Sequence, residues 1–190
     1  IEPWRGDATP GVTVGVVEGD ALVAHRHAGL ASLELDVPIG PETCFRIASV
    51  SKQFTCAAAL LLAERGLLDI EAPVRSLLPD LPAAYDAVTV AQLMHNASGI
   101  REMLEILRHG GADLGTPVTA ADLLDGIRRQ NTLNFAPGTR YLYSNSNFLL
   151  LGLIVEHLAG APLAAVLERE IFAPLGMTST RHTPDVQTPI

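Results

Sequence analysis

The chain has 190 residues, of which 48% are hydrophobic and 18% charged, and its formal net charge is -8 at pH 7. This composition fits one folded domain, or one domain and a piece of another, and it excludes a disordered chain. The acidic balance and the lack of any basic run argue against nucleic acid and anionic membrane surfaces as partners. The longest apolar stretches are far too short for a membrane span.

The N-terminal part of the chain predicts strands. Residues 12–17 form a β-rich run, residues 18–20 favour a turn, and residues 21–27 can return, so a hairpin is expected. Gly29 and the proline-flanked residues 38–41 are typical of loops. Residues 44–47 predict a short extended piece.

The pattern changes to helical from Ser49 onward. Helices are predicted over residues 49–65, 89–94, 102–109, 119–130, 144–158 and 162–171, with short helical turns at most in the proline-interrupted residues 69–87. Thr89 and Thr119 are the expected N-caps, and Gly66 and Gly160 the expected ends of two helices.

The order of these elements predicts an α+β fold of the α/β-sandwich type, with sheet strands in residues 1–48 and a mainly helical region in residues 49–190. Two or three strands do not make a stable sheet by themselves. We therefore expect the remaining strands of a mostly antiparallel sheet to come from residues beyond Ile190 or from another chain.

The residues that commonly hold metals or cofactors show no familiar spacing. Cys44 and Cys56 cannot make a disulfide framework and are best interpreted as small, half-buried apolar residues. The six histidines include no HExxH pair, and the chain has neither a GxGxxG sequence nor a Walker loop. The sequence therefore predicts no metal and no nucleotide cofactor.

Lys52 is the only lysine, beside twelve arginines. Lysine can lose its proton in a protein, whereas arginine cannot. Ser49 precedes it by three positions, so the two side chains share a helix face at a strand-to-helix junction. A serine needs an adjacent base to become a nucleophile, and a helix N-terminus favours developing negative charge. The alternative is an N-capping serine followed by a solvated lysine.

Tyr143 and Asn145 form a second candidate pair, between the turn at residues 136–139 and an apolar helix. A phenol beside a lysine ammonium can have a lowered pKa and act as a base or proton relay. The Asn145 amide offers donors and an acceptor to a substrate amide. The alternative is structural, with Tyr143 half-buried and Asn145 capping the helix.

These two motifs, in this order, resemble those of the serine β-lactamase, DD-peptidase and D-aminopeptidase superfamily, in its class C-like branch. Further landmarks match at residues 66–69, 93–99, 135–138 and 171–177, so the resemblance covers nearly the whole chain. Residues 49–55 look most like the D-aminopeptidase subgroup. The resemblance implies a β-lactamase/transpeptidase-like fold, of which this chain carries the N-terminal part with an incomplete sheet.

The resemblance also implies roles for the candidate residues. Ser49 would be the acylated nucleophile and give one oxyanion-hole N–H, with Lys52 as its activating partner, Tyr143 as the proton relay and Asn145 as a substrate contact. Asn96 stands where many relatives have His, and a structural role is favoured for the polar loop of residues 95–99. The family's third motif, His or Lys followed by x-Gly, is absent, so we expect residues 1–190 to be inactive alone.

The function expected from the resemblance is that of a serine hydrolase that forms an acyl-enzyme on amide bonds, as a D-aminopeptidase or DD-peptidase does. A family esterase or β-lactamase is the first alternative, and a non-catalytic relative that binds β-lactams or peptidoglycan is the second. The expected partners are a small peptide or amide substrate, and either further copies of the chain or a segment that completes the sheet.

Overall fold

The computed structural model describes residues 9–112 and 118–183. The chain divides into two compact units, with the boundary between Arg46 and Ile47. The first unit holds the strands and the second the helices. This separation along the chain is the α+β arrangement that the sequence predicts.

The first unit is built on an antiparallel hairpin. Strands β1 (Val12–Glu18) and β2 (Ala21–Ala28) pair from Val12 opposite Ala28 to Glu18 opposite Ala21, with an irregularity in register between Val16 and Val17. The turn is closed by Gly19 at a φ of 60°. The predicted hairpin is therefore confirmed.

A second, smaller sheet follows the hairpin. Strands β3 (Leu30–Ser32) and β4 (Val37–Pro38) pair antiparallel. No sequence pattern predicts β3, and the loop predicted over residues 38–41 overlaps the end of β4, because strands of two or three residues carry too little periodicity to detect. Residues 44–47 form no strand.

The hairpin keeps much of its apolar surface in solvent. Val16, Val17 and Leu22 expose 51%, 67% and 60% of their surface. A two-stranded hairpin is marginally stable in water unless it gains further strands or packing. That further strands cover this surface stays a prediction.

The second unit contains seven α-helices within the described residues. They are α1 (Lys52–Glu64), α2 (Val74–Leu77), α3 (Val90–Met94), α4 (Met103–His109), α5 (Ala120–Arg128), α6 (Asn145–Ala159) and α7 (Leu163–Leu167). Short 3-10 turns span Ala48–Ser51 and Ala83–Tyr85, and α7 continues into one π-helical turn, Glu168–Phe172. All the predicted helices are present, with ends displaced by a few residues.

Helix ends follow from local side-chain chemistry. Thr89 and Thr119 cap α3 and α5, and each forms a capping box with the residue three positions on, Gln92 and Asp122. Gly160 ends α6 in the left-handed conformation at a φ of 62°. Because these hydrogen bonds and conformations involve residues close together in the chain, the ends of these helices can be predicted from the sequence.

The core of the second unit forms where α1 and α6 pack together, with α3 and α7 beside them. Four side chains on α6 are fully buried, namely those of Leu150, Leu151, Ile154 and Val155. Burial of each such side chain contributes about 1.5–3 kcal/mol. Since α1 begins near Ser49 and α6 begins at Asn145, this packing brings the two candidate motifs together.

Within the described residues, no single helix has the length and hydropathy needed to cross a membrane. In the described part of the chain, one pair of helical segments meets these length and hydropathy requirements when taken together, namely Asn145–Ala159 with Leu163–Phe172, across a bend of 74°.

Candidate active site

Ser49 lies in the 3-10 turn that precedes α1. The α-helix itself begins at Lys52, three residues later than predicted, because Ala48 has a φ of 46° and the turn extends to Ser51. A left-handed conformation at a non-glycine residue is strained, and such strain is concentrated at functional sites. The turn leaves the Ser49 side chain exposed.

The structure brings together all four candidate residues. The Ser49 hydroxyl lies 2.7 Å from the Tyr143 hydroxyl, and Lys52 Nζ lies 3.1 Å from Ser49 Oγ. Lys52 Nζ also donates to Asn145 Oδ1 at 2.8 Å, and the Tyr143 hydroxyl donates to the same oxygen at 3.1 Å. The four side chains thus form one closed cluster, while their catalytic roles stay predictions.

The direction of these hydrogen bonds follows from donor chemistry. Asn145 Oδ1 can only accept, so the single proton of Tyr143 is turned toward Asn145. The Tyr143 oxygen is then left to accept the proton of Ser49. The resting site therefore points the serine hydroxyl proton at the phenol.

The phenol of Tyr143 has a lowered pKa. Partial burial by itself would raise this pKa, but hydrogen bonds with Lys52 and Ser49 and the positive charge of Lys52 together outweigh it. Lys52 Nζ lies 5.0 Å from the centre of the Tyr143 ring. A phenol that ionises more readily is better suited to accept and return a proton.

Asn96 holds the chain on both sides of Tyr143. Its carbonyl accepts from the Leu142 N–H at 2.9 Å, and its side-chain Oδ1 accepts from the Ser144 N–H at 3.1 Å. Oδ1 also accepts from Asn147 Nδ2 at 3.0 Å, and the Asn147 Oδ1 accepts from Ser98 at 2.6 Å. The side chains of Asn96 and Ser98 in the polar loop are therefore held in a buried hydrogen-bond network, whereas His95 is exposed.

Glu102 is a neighbour of the site that no sequence motif predicts. Its Oε1 accepts from the Asn145 side-chain Nδ2 at 2.8 Å and from the Asn145 backbone N–H at 3.3 Å. No local pattern reveals this contact, because the two residues are 43 positions apart. The only local signal was a carboxylate at the first residue of the helix predicted over residues 102–109, where negative charge is favoured by the helix dipole.

A cavity of about 620 Å³ opens beside the cluster. Tyr143 and Glu102 line its near side, and residues of α4, including Ile106, line another side. This space gives a small molecule access to the phenol. In the described part of the chain, no group of three or more His, Cys, Asp or Glu side chains is placed to hold a metal ion.

A comparison with family models matches residues 2–188 to the Beta-lactamase family. A D-aminopeptidase of Gluconobacter oxydans is 36% identical over 186 residues, which cover 93% of this chain and 34% of that protein. The chain spans about a third of the length of the curated relatives it matches.

Solved structures with a similar fold are also found. An octameric penicillin-binding protein homologue from Pyrococcus abyssi matches with a TM-score of 0.78 and 30% identity, over 90% of this chain and 40% of that one. A D-amino acid amidase from Ochrobactrum anthropi SV3, complexed with L-phenylalanine, matches with a TM-score of 0.73 and 27% identity, over 87% and 47% of the two chains.

Proposed function

Because the chain belongs to the Beta-lactamase family, we propose that it carries the nucleophile of a serine hydrolase that works through an acyl-enzyme. The observation that carries this proposal is the closed hydrogen-bonded cluster of Ser49, Lys52, Tyr143 and Asn145. A serine becomes a nucleophile when its proton has an acceptor in contact, and the cluster supplies one.

In the proposed reaction, Ser49 Oγ attacks the carbonyl carbon of an amide and passes its proton to the Tyr143 oxygen. This step requires Lys52 in its amine form, instead of the ammonium ion of the resting cluster; Lys52 Nζ then accepts the proton that Tyr143 directs at Asn145 in that cluster. When the C–N bond of the tetrahedral intermediate breaks, one proton returns along this route to the leaving nitrogen. Water then attacks the ester of Ser49 and releases the acid by the same transfers.

We propose amide bonds of small peptides or amino acid amides as the substrates, in the manner of a D-aminopeptidase or DD-peptidase. The names of the relatives support this choice, since both a D-aminopeptidase and a D-amino acid amidase are similar to this chain. An ester or a β-lactam needs the same nucleophile, so these are the alternative substrates. A binder that is never acylated is the alternative of another class.

Mass spectrometry of Ser49 tests the proposal. Full-length protein is incubated with a fluorophosphonate and, separately, with penicillin, a D-amino acid amide and an aryl ester. We expect an adduct at Ser49 with the fluorophosphonate and turnover of the amide. Ser51 is the internal control because it lies two positions away in the same turn. Failure of every reagent to modify Ser49 would leave the binder as the correct interpretation.

We also propose that strands outside residues 1–190 complete the sheet and supply the second oxyanion donor, and that further copies of the chain can assemble with it. The exposed apolar side chains of the hairpin support the first point, and the octameric relative supports the second. Loss of one oxyanion donor costs about 10²–10³ in rate. Acylation of Ser49 should therefore be much slower in the 190-residue form than in a longer product.

A further inference from the structure

We propose that Glu102 is a positioning residue, which fixes the orientation of the Asn145 amide and thereby sets the hydrogen-bond directions of the cluster. This inference rests on the proposed function, because the cluster is its object. Glu102 touches neither Ser49 nor Lys52 in the hydrogen bonds described above. It acts through Asn145.

The two oxygens of the Glu102 carboxylate have separate partners. Oε1 accepts from the backbone N–H and the side-chain Nδ2 of Asn145. Oε2 accepts from the backbone N–H groups of Leu104 at 2.6 Å and Glu105 at 3.1 Å, and so caps α4. One half of the side chain is therefore used for the helix and the other half for the site.

The half that faces Asn145 decides which atom of the amide points at Lys52. A carboxylate only accepts, so it holds Nδ2 on its own side and leaves Oδ1 for Lys52 and Tyr143. If the amide turned over, Nδ2 would face Lys52, and two donors would meet. The Tyr143 proton would then lose its acceptor and be free to turn toward Ser49.

Two substitutions of Glu102 test its contact with Asn145 and its capping of α4 separately. Glu102→Ser keeps an N-cap oxygen for Leu104 and Glu105, since serine is a favoured N-cap, but it is too short to reach Asn145. Glu102→Gln keeps an amide oxygen for Asn145, but it turns its NH₂ group toward the N–H groups that begin α4. We therefore expect Glu102→Gln to lower the thermal midpoint more, and Glu102→Ser to slow acylation more.

The rate of Ser49 acylation by a fluorophosphonate is measured in full-length protein. Glu102→Ser should lower this rate about 10- to 100-fold, the scale of a misplaced reacting group. In an Asn145→Ala background the same substitution should have no further effect, because there is no amide left to orient. Thr119→Ala is the matched control, since it removes the cap of α5 away from the site and should leave the rate unchanged.

A second measurement does not depend on acylation. Nuclear magnetic resonance follows the exchange of the two Asn145 Nδ2 protons with water, which should be slow in the wild type and in Glu102→Gln and fast in Glu102→Ser. Equal exchange in all three proteins, or an equal rate loss from Glu102→Ser with and without Asn145, would overturn the proposal. A wild type that is never acylated but shows the expected exchange would refute the proposed function and leave the positioning role of Glu102 intact.

Discussion

Lys52 is the residue at which charge and proton transfer can be separated most cleanly. Lys52→Arg keeps a positive charge next to Ser49, but a guanidinium cannot accept a proton. We expect this variant to keep the fold, as judged by circular dichroism, and to lose turnover. Near-normal turnover in Lys52→Arg would show that a positive charge beside Ser49 is sufficient and that no proton has to pass from Tyr143 to residue 52.

Gly99 is the residue at which the polar loop most resists substitution. It has a φ of 77°, and a Cβ placed there would lie 2.4 Å from the carbonyl oxygen of Phe135. Gly99→Ala therefore combines left-handed strain, about 1–3 kcal/mol, with a displacement of backbone. Because Asn96 lies in the same loop and holds Tyr143, we expect Gly99→Ala to lower both the free energy of unfolding and the rate of Ser49 acylation.

Gly66 provides the control for that substitution. Its φ of 71° is similar, but a Cβ there would meet nothing within 4 Å. Gly66→Ala should show the strain alone and no loss of acylation rate. If denaturant titration gave equal losses in the free energy of unfolding for Gly99→Ala and Gly66→Ala, the close approach to Phe135 would contribute nothing to the cost of the substitution.

The candidate site residues were predictable from the sequence to the extent that their chemistry is local. Ser49 and Lys52 lie three positions apart and form one motif. Tyr143 and Asn145 lie two positions apart and form another. Glu102 was not predictable in this way, because its partner Asn145 is distant in sequence and no spacing rule joins them. The left-handed conformation of Ala48 could not be predicted either, because no sequence pattern indicates it.

At the scale of elements, Tyr85 connects the short turn Ala83–Tyr85 to the end of α5. Its side chain is fully buried, and its hydroxyl donates to the carbonyl of Ile127 at 3.1 Å. Tyr85→Phe removes this bond at nearly constant volume, so we expect a loss of about 1 kcal/mol in the free energy of unfolding. Urea denaturation at neutral pH measures it.

The same residue predicts a pH dependence. Burial raises the pKa of Tyr85 to about 12, from an ordinary value of 10.0. A tyrosine with a raised pKa in the folded state contributes stability that is fully present below pH 10 and is lost as the pH rises toward 12. The free energy of unfolding of the wild type should therefore fall faster between pH 10 and pH 12 than that of Tyr85→Phe. If the two proteins lost stability in parallel over this range, the raised pKa of Tyr85 would be contradicted.

The helices were more predictable than the strands for a physical reason. Thr89 and Thr119 hydrogen-bond to residues three positions away, so their caps are visible in the sequence. The pairing of β3 with β4 brings together a few residues across a turn, and Pro38 lies at its end. Proline normally argues against a strand interior and is tolerated only at an edge or an end, which is where it lies here.

At the scale of the whole molecule, the exposed hairpin predicts self-association of the 190-residue form. In the described residues β1 and β2 form a two-stranded sheet, so each keeps an edge with unpaired backbone groups. Val17→Lys places a charge among exposed apolar side chains and should shift the protein to smaller species in analytical ultracentrifugation. Leu67→Lys, an exposed position outside any strand, is the control and should not.

The hydrogen bond between Ser49 and Tyr143 joins segments that are 94 positions apart. Helices form within microseconds, whereas contacts between distant segments require the closure of long loops and come later. The time at which Ser49 becomes reactive during refolding therefore reports when α1 packs against α6. During refolding, we expect the far-ultraviolet helical signal to return before fluorophosphonate labelling does. Simultaneous recovery would mean that the helices and the nucleophile are assembled in one cooperative step.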